Sequence, residues 1–373
     1  MGLLTSEGDF WKRQRRLSQP SFHRQRIAGF ATAMARCTER MLSDWAALEP
    51  SGRAPTRSVG VDVHAEMMRL TMAIVGQTLF STDLLGSAEA VGRALTTALE
   101  ITNRRFQSLF LLPQRLPTRQ NVKFGRAMET LNGVVNGLIA ERRKGGAEPS
   151  EDLLGMLMSA RDEETGEGMN DRQLHDELMT LFLAGHETTA NALAWTFYLL
   201  SRHPEIERRV HAECAAALQG RAPGAEDVPK LELTNRVVAE ALRLYPPAWL
   251  FARKAIEADE IQGYRIPKGS TVFVCPYVTH RHPGFWENPE GFDPDRFLPA
   301  AVAARPRYAY FPFAGGPRQC IGNSFALMEA TIILATTLQR YRLDLVPGQR
   351  VEPEPTVTLR PVDGVRVTLQ PRA

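Results

Sequence analysis

The sequence predicts a mainly α-helical fold with small β-sheets, organised as one domain over residues 1–373. Three observations carry this expectation. Helical periodicity recurs through the first two thirds of the chain. Within the helical stretch 171–202, Leu178 to Ala184 and Ala190 to Leu200 are apolar nearly all round, as in a helix that runs through a core. After Pro246-Pro247 the chain turns rich in Pro, Gly and aromatics, with short β-type runs.

Taken in order, 24–48, 61–80, 87–103 and 119–143 each read as a helix. Over 171–202, Asn170 and Gln173 have the spacing of an N-cap and its capping-box partner. Pro204 stops that helix just beyond His203. At ~1.5 Å per residue it would span nearly 50 Å. Two more helices follow near 204–218 and 234–244. The run Tyr264 to Val274 reads as two short strands about a Lys268-Gly269 turn. Residues 323–341 return to helix. The end of the chain reads as a hairpin with Asp363-Gly364 at its turn. No repeat, low-complexity segment or linker divides the chain.

Composition narrows the class. No run reaches the eighteen or so uncharged apolar residues of a membrane helix, and charges occupy the place of a signal-peptide core. The expectation is a cytoplasmic monomer. Net charge is +3, yet Lys12, Arg13, Arg15, Arg16, Arg24 and Arg26 fall in one acid-free stretch. No nucleic-acid-binding signature accompanies them, so nucleic acid is not an expected partner. Cys37, Cys214, Cys275 and Cys320 form no C-x-x-C pair, which argues against a zinc site or a disulfide framework.

One cysteine stands out by its neighbours. Gly315, Gly316 and Pro317 cannot continue a regular element, so Phe313 to Gly322 forms a tight loop before a helix that begins near Asn323. Backbone N–H groups at a helix start, and Arg318 two residues earlier, favour a thiolate at Cys320. Phe313 can shield the sulfur from water. A thiolate is the form that binds metal, whereas the alternative is an ordinary buried free cysteine.

The spacing F-x-x-G-x-R-x-C-x-G, Phe313 to Gly322, resembles the haem-binding signature of the cytochrome P-450 family. Other motifs follow in that family's order. Glu240-Ala-Leu-Arg243 resembles its E-x-x-R, and Phe292 to Phe297 its aromatic–Pro–Arg segment. There Arg296 would complete a structural Glu240–Arg243–Arg296 network. Ala184-Gly-His-Glu-Thr-Thr189 resembles the oxygen-activation motif. The resemblance gives Gly185 the role of leaving room for O2. It gives Thr188 a hydroxyl for the distal site and makes Glu187 a proton relay. Thr-to-backbone bonds would account for the threonines alone, not for the run. A zinc helix H-E-x-x-H fails because position 190 is Ala. His280 and His282 read as polar residues of a Pro-rich turn. Trp11 and Arg15 resemble the family's W-x-x-x-R, which with Arg253 and Arg318 would hold the two propionates.

The resemblance implies a cytochrome P-450 fold with a long central helix over the haem. It also implies family segments before Trp11, and this chain is expected to lack those first helices and strands. The implied activity is a monooxygenase that carries haem b, with Cys320 on the iron. It would insert one oxygen atom of O2 into a lipophilic substrate such as a fatty acid, terpenoid, steroid or polyketide. Phe106, Leu109 to Leu112, and Ala248 to Phe251 are the expected pocket residues. Electrons would come from a ferredoxin or flavodoxin with its reductase, docked on a basic patch of Lys12, Arg13 and Arg16. The competing readings are a haem-binding protein without turnover and a peroxide-driven peroxygenase. The intact Glu187-Thr188 pair disfavours the latter.

Overall fold

The structure, a computed structural model, describes residues 1–48, 60–81, 85–108, 113, 115–144 and 152–372; the side chains of 85–90, 106 and 107 fall outside that set. The expected pocket residues Phe106 and Leu109 to Leu112 therefore lie outside the described side chains. Helices dominate: α1 (Gly8–Ser18), α2 (Arg24–Ala28), α3 (Ala31–Ala47), α4 (Val63–Phe80), α5 (Leu85–Gln107), α6 (Arg119–Lys144) and α7 (Leu153–Ser159) precede the long helix. That helix, α8 (Asp171–Arg202), is unbroken. Asn170 accepts from the Gln173 N–H, and the Gln173 side chain reaches back to the Asn170 backbone. After it come α9 (Pro204–Leu218), α10 (Glu232–Leu244), α11 (Pro276–Thr279), α12 (Pro299–Ala304) and α13 (Asn323–Arg340). The helix expected over 24–48 is two, because the backbone turns at Gly29 and Phe30.

Nine short strands make four small antiparallel sheets among the described residues. β1 (Gly60–Asp62), β9 (Arg366–Pro371) and β6 (Tyr341–Leu345) form one, in the order β1-β9-β6. β2 (Phe251–Lys254) pairs with β5 (Thr271–Val274), β3 (Asp259–Ile261) with β4 (Tyr264–Ile266), and β7 (Pro353–Pro355) with β8 (Leu359–Pro361). Both expected hairpins are therefore rearranged. The strands on either side of Lys268-Gly269 exist but do not pair with each other. Gly269 and Ser270 bond to Ala255 instead, which lays β5 along β2. The tight hairpin is one step earlier, at Gln262-Gly263, where φ is 49° and 82°. Asp363-Gly364 does turn the chain. However, the Asp62 carboxylate accepts from the Val365 N–H at 2.9 Å and draws β9 onto β1. A Cβ on Gly364 would meet that carboxylate at 2.2 Å, and its φ of +71° favours glycine as well.

Buried apolar side chains form two clusters. One gathers α2, α3, α4, α9, α10, α13 and the second half of α8, from Ala190 onward. The other gathers α5, α6, α7 and the first half of α8, through Phe182. α8 thus passes from one core to the other, and the seam falls at 183–189. Among the described residues no helix is long and apolar enough to cross a membrane.

Candidate active site

The loop before α13 is held by its own backbone. The Cys320 N–H donates to the Phe313 carbonyl at 3.0 Å, and the Gln319 N–H to Gly316 at 3.0 Å. Gly316 (φ +72°) and Ala314 (φ +57°) both take left-handed backbone, a conformation that costs Ala roughly 1–2 kcal/mol. Phe313 and Gly322 are half-buried. The Cys320 side chain presents surface, yet protein crowds the sulfur closely enough that burial pushes the thiol pKa up. The Gly322 N–H and the charge of Arg15 pull the other way and are outweighed. The sequence leads one to expect a lowered thiol. The structure reverses the sign because desolvation exceeds both favourable contacts.

Around this sulfur the fold assembles cations without acids. The Arg15 Nη1 donates to the Gln319 carbonyl at 2.9 Å. The Arg318 guanidinium lies 4.5 Å from the centre of the Trp11 ring and donates to the Ser6 carbonyl at 2.8 Å. Arg253, on β2, lies against Phe251 and feels the charge of Arg318, so burial and that repulsion both lower its pKa. Burial lowers Arg15 as well. Among the described residues no carboxylate pairs with Arg15, Arg253 or Arg318. Three partly desolvated guanidiniums, two of them repelling, beside a crowded thiol suit a ligand with two acid groups and a thiolate-binding metal. Haem meets both requirements.

Along α8, the seam leaves part of the helix uncovered. Ala184 is exposed in the middle of α8, between buried Phe182 and buried His186. Thr188, one turn on, is half-buried and donates to the Ala184 carbonyl at 2.8 Å; Thr189 donates to Gly185 at 3.3 Å. Gly185 differs from expectation. A Cβ there would meet Val75 Cγ2 at 3.5 Å, so the glycine faces α4 and the exposed face belongs to Ala184. Glu187 is buried, with its Oε1 accepting from the Thr358 hydroxyl at 2.7 Å. Burial raises its pKa against that bond and the charge of Arg360.

The Glu240–Arg243 pair forms a separate, sealed network. Arg243 Nε and Nη2 reach the two Glu240 oxygens at 2.7 Å each, and both side chains are fully buried. Arg243 also donates to the carbonyls of His280 (2.9 Å), Pro289 (2.7 Å) and Gly291 (2.9 Å). Arg296 approaches Glu240 at 3.4 Å, and the Asp293 N–H donates to it at 3.0 Å.

Two residues escape the sequence reading. His280 is not a passive turn residue: its Nε2 accepts from the Phe311 N–H at 2.9 Å, which links Arg243 to the start of the cysteine loop. Burial holds its pKa down at about 3, so the ring stays neutral and can accept. Glu329, on α13, is fully buried beside Thr189; burial raises its pKa and the Thr189 hydroxyl opposes that rise without cancelling it. Its signal was a lone acid inside the apolar run from Ala326 to Leu334.

The basic patch is neutralised. Lys12 pairs with Asp9 at 3.0 Å, Arg13 with Glu167 at 3.4 Å, and Arg16 with Asp162 at 3.1 Å and Glu164 at 2.8 Å. Asp9 lies just before the run and the other acids far downstream, so none falls within the run itself. Arg24 and Arg26, at α2, are exposed and pair with no described carboxylate. The preceding Phe22 ring lies 3.9 Å from where a Cβ of Gly322 would be.

Comparison with known proteins agrees with this geometry. The family model described as Cytochrome P450 matches residues 1–368. "Cyclooctatin synthase" of Streptomyces melanosporofaciens is 42% identical over 359 residues, which cover 96% of this chain and 76% of that protein. "Cyclooctat-9-en-7-ol 5-monooxygenase" of the same organism is 39% identical, over 93% of this chain and 73% of its own. "Pentalenene oxygenase" of Streptomyces avermitilis is 36% identical, over 100% and 80%. The crystal structure of the cytochrome P450DA heme domain superposes with a TM-score of 0.90 at 30% identity, over 100% of this chain and 80% of that one.

Proposed function

From the premise that the chain belongs to the cytochrome P-450 family, as a haem-dependent monooxygenase, we propose that it oxygenates a cyclic terpenoid olefin or alcohol. The net reaction takes substrate, O2, two electrons and two protons to oxygenated product and water. Support for the substrate class comes from the relatives named for cyclooctat-9-en-7-ol and pentalenene. The half-buried apolar residues Trp249, Leu250 and Phe251, expected from the resemblance to line the pocket, are in keeping with such a ligand.

When bound, the haem supplies the iron at which O2 is activated, and a thiolate ligand favours O–O cleavage. We assign Cys320 as that ligand, with Phe313 and Gly322 shaping its loop. Trp11, Arg15, Arg253 and Arg318 hold and neutralise the propionates. Glu187 and Thr188 manage protons on the α8 side, and Gly185 lets α4 and α8 close together. Glu240, Arg243 and Arg296 hold the loops behind the cysteine. Residues 1–373 act as one domain, a monomer in the cytoplasm. Electrons arrive from a ferredoxin or flavodoxin with its reductase.

The single observation that carries the reading is the acid-free set of three arginines gathered at Cys320. The experiment is the absorption of the reduced, CO-bound protein, followed by product formation with a surrogate redox system. The wild type should give the red-shifted Soret band of thiolate ligation and Cys320→Ala should lose it. Retention of the band in that variant removes Cys320 from the role. Cyclooctat-9-en-7-ol or pentalenene should perturb the haem spectrum at lower concentration than a fatty acid does; the reverse order rejects the terpenoid assignment.

A further inference from the structure

Glu187 lines a cavity of about 50 Å³ whose other walls include His64, Thr96, Leu99, Glu100 and Arg360. That volume accepts roughly three to five waters at 10–15 Å³ apiece. Glu100, on α5, is exposed, so the cavity connects a buried carboxyl with the outside.

The same carboxyl ends a hydrogen-bond chain of fixed direction. The Thr358 hydroxyl donates to Glu187 Oε1 at 2.7 Å and accepts from Asn191 Nδ2 at 3.1 Å. Asn191 Oδ1 lies 2.8 Å from His64 Nε2, so that nitrogen must carry the proton. Every donor in the series points towards Glu187. A side-chain amide does not pass protons along, so this chain orients the acid while water in the cavity supplies it.

We propose that the cavity between α4, α5 and β8 is the water inlet of the oxygen-activating site, and that Thr358, Asn191 and His64 are positioning residues that aim Glu187 along it. The inference rests on the monooxygenase reading. One proton leaves the Glu187 carboxyl towards the Thr188 side of α8 and one returns from cavity water. The residue is unchanged over a cycle, and the protons consumed come from bulk solvent. The charged and titratable groups around the device are Arg360 beside Glu187, Asp62 and Arg360 beside His64, and Glu100 at the mouth.

The test uses the haem-loaded, CO-bound protein and the infrared band of the Glu187 carboxyl, identified by its loss in Glu187→Gln. Thr358→Val removes the donor to the carboxylate, so the band should titrate about one pH unit higher, and Thr358→Ser should restore it. Equal titration in Thr358→Val and wild type overturns the positioning role. Leu99→Phe and, from the exposed rim, Thr96→Leu plug the cavity. Each should slow hydrogen–deuterium exchange of that carboxyl several-fold and lower product formed per electron, with the Soret band intact. Unchanged exchange in either correctly folded variant overturns the inlet. Unaltered coupling in Glu187→Gln instead removes the relay role proposed above, and the infrared outcomes still judge the cavity.

Discussion

Arg243→Met probes what the buried pair holds together. A buried ion pair broken from one side costs ~3–5 kcal/mol, because the surviving charge is stranded. Here the stranded group is Glu240, left with Arg296 at 3.4 Å and one backbone N–H. Apolar replacement of both partners often recovers such a loss when the pair stands alone. This pair does not. Arg243 donates to three backbone carbonyls, and Glu240 accepts from the Asp293 N–H. Removing both side chains orphans those four groups at ~1–3 kcal/mol apiece before relaxation. The double variant Glu240→Met, Arg243→Met should therefore stay at least ~3 kcal/mol below wild type and recover little over Arg243→Met alone. Against a total of ~5–15 kcal/mol, either change should visibly weaken the fold. Denaturant midpoints of the haem-loaded proteins, read by fluorescence and by the Soret band, give the cycle. A double variant within ~1 kcal/mol of wild type would refute the reasoning, since the pair would then hold nothing but itself.

Three further outcomes are expected. Thr188→Ala should keep haem binding and the CO-bound Soret band while diverting electrons to hydrogen peroxide; unchanged product per NAD(P)H consumed rejects its role. Glu329 is neutral in both states below its ordinary pKa of 4.5, but burial pushes the folded value up to about 8. Stability should therefore fall as pH rises between those values, by on the order of 4–5 kcal/mol in all, and Glu329→Gln should abolish that slope; parallel pH–stability curves count against it. Arg24→Glu and Arg26→Glu should slow first-electron transfer at low salt and converge on wild type at high salt. Lys12→Glu and Arg13→Glu, already matched by acids, should act less, and the opposite ranking would return the docking patch to α1.

Long-range pairing is where the sequence falls short. The capping box at Asn170 and Gln173 is local, and the helix it starts is where the periodicity puts it. The strands after Gly269 and Gly364 are local too, but their partners are not. Ala255 claims one turn and Asp62 the other, and neither lies inside the run that suggests a hairpin. The same limit explains the basic patch. An acid-free stretch of sequence is not an acid-free surface, because Asp162, Glu164 and Glu167 arrive from 146 or more residues away. The thiol's sign is missed for a related reason. A helix start and a nearby arginine can be read from the loop, whereas the crowding that outweighs them comes from the whole fold.

Satisfaction of polar groups separates structure from chemistry here better than residue type does. Glu240–Arg243 and the arginines at Cys320 read alike in the sequence, each a charge near an apolar helix or loop. In the fold, Arg243 reaches both oxygens of one carboxylate and three carbonyls. Arg15, Arg253 and Arg318 each make one bond to a backbone carbonyl and pair with no described carboxylate. Thr188 and Thr189, each bonded to a carbonyl one turn back, and Glu187, bonded to Thr358 just before β8, lie between these extremes at the seam where α8 leaves one core for the other. A group with every valence met is fixed, and disturbing it unfolds the protein. A group held by a single bond is oriented but still able to engage something else, and disturbing it alters chemistry. That measure places Arg243 with stability, and it is the ground on which we propose ligand binding for the arginines at Cys320 and proton movement for Glu187, whose hydrogen bond is to Thr358.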